Sequence, residues 1–575
     1  MAADAAAWRA SGTALLLAAL LLGAAAPARA ALDDPDGWHR IEADDVVLWT
    51  DADVDRGGDL ALRLALFRRT IAALSPALDL SAPAPMSIFA FRDARSYAPF
   101  RYPGGAAGAA VAGQLIDHPY AQFLTFDANP RRTGGLGIVY HEYLHSLARG
   151  NLPGVPRWFN EGLAEYYSTF AIELNDDPAL PPVVVSIGAP VARHVRWLRD
   201  HDFDLVSVLD AWRDAPTAHG RLDDPSRIHD PSASGERYAV AWLLVHHLMR
   251  GSERLDQTAE LFVRLAGGDR WEDAFERAYD LSLGQLQRLL EDDVAALLGA
   301  GVAGDGRFTP RRIVLPGVDR VPTVRLRPAH SSEVLRRLGA LSLLLRRDDL
   351  TAQLLDAAPR DGDAIALQAF RLARDGRVDE ADVRFADANA IGHDDALSVL
   401  LQAHHQLKQH RDQRGAAAAE AFAREALRRH PGYVEAHALL AQRHLRPGGT
   451  PSKGLEHVRK ARARRPLRVD LMALAVDLHL RDEDPDAAMR MVEGPVRAWG
   501  PTELADRLAL HVTRARHLLA SDKALRAGDY DEALAQYDAA IEATESASTR
   551  EQMETRLRQL QDEILRRLDA EDAAP

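Results

Sequence analysis

GIVYHEYLHSLARGNLPGVPRWFNEGLAEYY, residues 137–167, decides how the first half of this chain folds. Gly137–Ala148 places its apolar residues at helical spacing and runs out near Gly150. Residues 151–156 (NLPGVP) form a turn-rich loop, and Pro156 suits the first position of a second helix running to about Phe170. On the first helix His141 and His145 fall one turn apart on the same face, so both imidazoles can reach one ion. Glu142 lies beside that pair, placed to take a proton from a water.

A catalytic zinc takes three protein ligands and keeps a position open for water, so the two histidines need a partner. Glu161, on the second helix, supplies it 16 residues after His145. Glu165 stands one turn further along that face, where a carboxylate can accept a hydrogen bond from a ligand histidine and fix its tautomer. With 22 histidines in the chain, a chance H-E-x-x-H has odds of roughly one in twenty. The assignment therefore rests on the order and spacing of the four groups together.

Working outward, the 575 residues are too many for one core, and two to four domains are expected. Hydrophobic and charged fractions of 47% and 27% are those of an ordinary globular chain. A net charge of −14 argues against a general affinity for nucleic acid or anionic membrane. Arg459–Arg465 (RKARARR) reads as a solvated helix face. The first thirty residues read as an export signal: Arg9, the apolar run Leu15–Leu22, and Ala28-Arg29-Ala30 as the cleavage signature. That run is short for a span, which needs about 20 residues, so no stable membrane span is expected once the signal is removed. With no cysteine there is no lipid-attachment site, disulfide or thiolate ligand, which fits a bacterial periplasm.

The expected domain order is a signal peptide over 1–30, an α+β domain over 31–303, a connection over 304–330, helical repeats over 331–545 and a charged helical tail over 546–575. Strands are expected at Asp45–Asp51, Met86–Arg92 and Gln122–Asp127, with helices at Asp59–Leu74, Arg237–Arg250, Thr258–Ala266 and Leu283–Leu298. Beyond Ser331 every segment is helical. Pro431, Pro466 and Pro501 recur every 35 residues. Ala381, Phe385 and Ala388 repeat the offsets of Ala533, Tyr537 and Ala540, the arrangement by which two packed helices of a short repeat interlock. This pattern resembles tetratricopeptide repeats, best matched by GDYDEALAQYDAAIEA at Gly528–Ala543, and a generic helical array is the other reading.

His141-Glu142-x-x-His145 followed by Trp158-Phe159-Asn160-Glu161-Gly162 resembles the gluzincin metallopeptidases, the clan of thermolysin and aminopeptidase N, and most of all the bacterial peptidase MA-like branch. The resemblance covers roughly Trp38–Leu298, and its specific part is Tyr140–Tyr167. It implies His141, His145 and Glu161 as zinc ligands, Glu142 as general base and Glu165 in the supporting acidic position. It also implies Gln122–Asp127 as the edge strand along which an extended peptide lies. Relatives stabilise the oxyanion with a Tyr or His from a later helix; Tyr238 is the candidate, with His246 and His247 behind it. His118, His194 and His201 receive no role. The Gly-x-Met-Glu-Asn string of aminopeptidase N relatives does not occur, so aminopeptidase activity is not implied.

Three functions remain in play. The first is an exported zinc endopeptidase acting on peptide or protein substrates, with repeats that recruit substrate or a protein partner. The second is a non-catalytic envelope scaffold with a structural or degenerate zinc site. The third, a metal-dependent hydrolase of another bond, lacks a phosphate-cradling loop or second metal cluster in the sequence.

Overall fold

Strand β1 (His39–Ala43) turns into β2 (Val46–Thr50) through Asp44, which holds a left-handed φ of 50°. Helix α1 (Val54–Leu74) follows, started by Asp53, whose carboxylate accepts the N–H of Arg56. Then come β3 (Met86–Phe91), β4 (Gly113–Asp117) and β5 (Gln122–Asp127). The computed structural model describes residues 35–76, 78–101, 112–129, 136–148, 155–175, 177, 180–213, 235–250, 252–266, 269, 271–299, 306–315, 321–393, 395–410 and 412–572. The expected export signal lies outside the described residues.

The chain is mixed α/β, with a sheet formed early and a helical remainder. Contacts divide it into two compact units, one reaching His405 and including Glu425–Tyr433, the other made of Gln406–Arg424 and the chain from Val434 on. In the first unit a six-stranded sheet has the order β4-β5-β3-β2-β1-β9, where β9 is Val324–Pro328. β2, β3 and β5 are parallel, and α1 is the crossover between β2 and β3. β4, β1 and β9 are antiparallel to their neighbours.

Side chains alternate between the two faces, as the period-2 geometry of strands requires. Leu48, Ile88, Ala90, Leu124 and Phe126 point to one face, where they bury against Leu60, Leu64 and Phe67 of α1. Tyr140, Tyr143 and Leu144 of α2 (Gly137–Ala148) complete that layer, with the Phe67 and Tyr140 rings stacked 4.9 Å apart. Trp49, Phe89, Phe91 and Phe123 point to the other face and bury against Val334, Leu338 and Leu341 of the helix Ser331–Leu344.

Behind α2 lie α3 (Arg157–Tyr167), a three-stranded sheet of β6 (Ala171–Leu174), β7 (Val183–Ile187) and β8 (Arg311–Val314), and the helices α4 (Ala192–Asp200), α5 (Leu205–Arg213) and α6 (Gly235–Leu248). α3 crosses α6 at Gly162, where a Cβ would stand 2.3 Å from the carbonyl oxygen of Ala241. Only glycine permits that approach, and it seats the helix carrying Glu161.

Three expectations change. Residues 304–330 are not a free connection: β8 and β9 within them pair to β7 and β1. Nor does a separate helical domain begin at Ser331, because the helices from there to His405 cover the aromatic face of the sheet. In addition, β4 and not β5 is the edge strand, since β5 is hydrogen-bonded on both sides, to β3 and β4.

The second unit is helical throughout its described residues. Its helices pack around Ala441, Val458, Leu474, Ala475 and Leu478, and further along around Val476, Ala488, Val492 and Val512. Thr502–Ala527 ends at Gly528 in the left-handed conformation, φ 77°, before Asp529 caps Tyr530–Glu542. Ala533 and Ala540 of that helix are buried, as are Ala381, Phe385 and Ala388 in the first unit. No described helix is long and apolar enough to cross a membrane.

Candidate metal centre

α2 lies between the sheet and α3, and every residue from Val139 to Ala148 is buried. Its polar residues therefore need partners inside the protein. His141 and His145 turn toward α3 with their Nε2 atoms 3.1 Å apart. Glu161 Oε2 stands 3.3 Å from the first and 3.4 Å from the second. Donors held about 2.05 Å from one ion at tetrahedral angles are about 3.3 Å apart, so the triangle has the size an ion requires. Glu161 Oε2 is also buried without a hydrogen-bond partner, which leaves its lone pairs for a cation. His141, His145 and Glu161 are thus a group that could hold a metal ion.

The electrostatics point the same way. Burial opposes charge on His141, but the adjoining Glu161 and Glu165 carboxylates outweigh it and lift the imidazole to about 10. Burial likewise opposes charge on Glu161, and the positive field of His145 and His141 overcomes it, holding the carboxyl well below its usual range. A buried pocket this rich in carboxylate demands positive charge, from a proton or an ion.

Glu165 lies behind His141, with Oε1 3.4 Å from Nδ1. Its other oxygen, Oε2, is 3.1 Å from Nε2 of His194, and Arg193 forms an ion pair with Oε1. Glu165 thus lies next to the His141 ring on the side away from Glu161. Asn160 lies likewise beside the second histidine, its side-chain amide 3.1 Å from His145 Nδ1. Glu142, buried beside the triad, accepts the N–H of Leu115 on its Oε2 at 3.2 Å. Leu115 is on edge strand β4, and its N–H turns away from β5 toward α2.

Tyr238 enters from α6, with Trp212 packed edge-on at 5.7 Å. Burial pushes its phenol up, and the charges of Glu161, Glu165 and Glu142 push it further, so it stays protonated and able to donate. His246 and His247 have other partners. His246 Nε2 lies 3.0 Å from the carbonyl of Gly188 and burial depresses it to about 4; His247 Nδ1 is 2.6 Å from Asp293.

Sequence reasoning missed His194, Arg193, Asn160 and the Leu115 amide. Asn160 carried a signal, a polar residue inside WFNEG next to the candidate ligand Glu161. The others come from distant elements and had none. No protein-family model matches the chain, and no curated protein matches it.

Proposed function

We propose that this chain is an exported zinc-dependent endopeptidase of the gluzincin type. One observation carries the reading: two imidazole nitrogens and a buried carboxylate oxygen that accepts no hydrogen bond converge at 3.1–3.4 Å with Glu142 beside them. His141, His145 and Glu161 would hold the ion, and an all-imidazole and carboxylate set in a chain without cysteine suits zinc. Zinc bound there would supply Lewis acidity, polarising a peptide carbonyl and making a water acidic enough to lose its proton near neutral pH.

The rest of the chemistry falls to the chain's own residues. Glu142, oriented by the Leu115 N–H, takes the proton and delivers it to the leaving amine nitrogen. Tyr238, kept protonated, donates to the oxygen on which charge develops. Edge strand β4 lies on the Glu142 side of α2, and an extended peptide would add along its outer edge, beside the Leu115 N–H that Glu142 holds, by main-chain hydrogen bonds. Glu165 and Asn160 hold the ligand imidazoles in register. The later helices, read as tetratricopeptide-like, would recruit a substrate protein or partner, and the periplasm would be the place of action.

Cleavage of an unstructured protein by the mature chain tests the reading. We expect fragments from the wild type and none from Glu142→Gln at equal metal content. Metal held in the wild type without cleavage of any unstructured protein would instead favour the scaffold function.

A further inference from the structure

Beside His141 is a cavity of about 400 Å³. Leu136, Ile138, Phe170 and Val191 give it apolar walls, and His141 and Arg193 also line it. Three hydroxyls also reach it, but all are committed inside the protein, that of Tyr140 to the Arg63 guanidinium. Ser168 donates to the carbonyl of Glu165 at 2.7 Å. Thr169 donates to the carbonyl of Tyr166 at 2.8 Å and accepts the N–H groups of Gly188 and Ala189 at 2.9 and 3.0 Å.

That leaves Arg193 as the polar group with capacity to spare. A guanidinium has five N–H donors, and Glu165 engages one of its terminal nitrogens. The side chain is 62% exposed, so its remaining donors are open to the cavity and solvent. Arg193 is the only guanidinium or ammonium among the described residues that line the cavity.

We propose that this cavity is a side-chain pocket for a carboxylate, read by Arg193, so that the peptidase proposed above prefers an acidic residue near the bond it cuts. The proposal rests on that reading for the word substrate, but the pocket's chemistry stands on Arg193 and its surroundings. His141, a metal ligand in that reading, lines the cavity, so its occupant would be a substrate side chain close to the metal centre. Apolar walls receive the methylenes of a glutamate, and the guanidinium meets its carboxylate by charge-assisted hydrogen bonds. The same guanidinium repels lysine and arginine, so the discrimination has a repulsive as well as an attractive part. A chain-terminal carboxylate offers the same chemistry, and the test separates the two sources.

The full-length protein is stripped of metal with a chelator and titrated with three peptides by fluorescence anisotropy. One carries a central Glu and an amidated C-terminus, the second replaces Glu with Gln, and the third keeps Gln but has a free C-terminal carboxylate. The Glu peptide is expected to bind wild type about three- to fivefold tighter than its Gln twin, the upper range for an exposed charge-assisted contact. Arg193→Gln should reduce that ratio to below about twofold, and Arg193→Lys should restore part of it. If only the free-terminus peptide gains, and Arg193→Gln removes the gain, the pocket reads a carboxylate at a chain end. Equal binding of all three to wild type, or a preference that survives Arg193→Gln, overturns the proposal. Because no cleavage is needed, a preference without proteolysis would count against the peptidase reading alone, and proteolysis without preference against the pocket alone.

Discussion

Glu161 and Glu165 are one helical turn apart and face His141 from two sides, one through Nε2 and the other through Nδ1. That division of labour makes separate predictions. Glu165→Gln should leave the triad intact but lower metal affinity about 10- to 100-fold, measured by competition with a chromophoric chelator. Glu142→Gln should leave affinity nearly unchanged and reduce cleavage by about 10²- to 10⁴-fold. Proton linkage gives a third. In the metal-free chain His141 is lifted from its ordinary 6.5 to about 10, so at pH 7.5 it carries a proton that an incoming ion must expel. Apparent metal affinity should then rise about tenfold per pH unit through the neutral range and level off near pH 10. Calorimetry in buffers of different ionisation enthalpy should count about one proton released per ion. Affinity flat between pH 7 and 9 would contradict this. At this scale the sequence was most legible where groups share a helix, because spacing alone puts His141 over His145 and Glu161 under Glu165. Leu115, Arg193 and His194 reach the site only through tertiary contacts, which no local spacing encodes.

Among the elements, α3 depends most sharply on a single residue. A methyl group at Gly162 would collide with a backbone carbonyl of α6, which cannot rotate away as a side chain can. Gly162→Ala should therefore cost about 1–3 kcal/mol of stability in denaturant unfolding and weaken metal binding as Glu161 is displaced. A variant as stable and as tight as wild type would contradict the close crossing. Helices α2 and α3 were readable from apolar periodicity and Pro156. β5 was readable as a strand, but its place in the sheet was not, because β4 is a five-residue strand of ordinary composition that follows a Gly- and Ala-rich stretch. The runs that become β8 and β9 read as short β-like stretches, but their pairing into the two sheets was not legible. Both are mostly exposed, with Arg311, Arg312, Arg325 and Arg327 along them, and edge strands are commonly blunted with charge in this way. Such a composition reads as a connection until the pairing partners are known.

For the whole molecule, the useful boundary lies far beyond the one the sequence suggested. The helices after Ser331 looked like the start of a separate array because they share its periodicity, yet the first of them cover Trp49, Phe89, Phe91 and Phe123. A chain ending at residue 330 should expose that aromatic face and aggregate, whereas one ending at Tyr433 keeps the first unit complete and should unfold cooperatively. Size-exclusion chromatography and thermal unfolding of the two truncations would decide it; a monomeric, cooperatively folded 330-residue form would contradict the shared core. The account as a whole stands on the triad, and the most direct test is the metal content of the purified full-length protein, by mass spectrometry, beside His145→Ala. We expect one equivalent of zinc per chain in the wild type and none in the folded variant. A folded wild type that holds no zinc even when the ion is supplied would contradict the central claim.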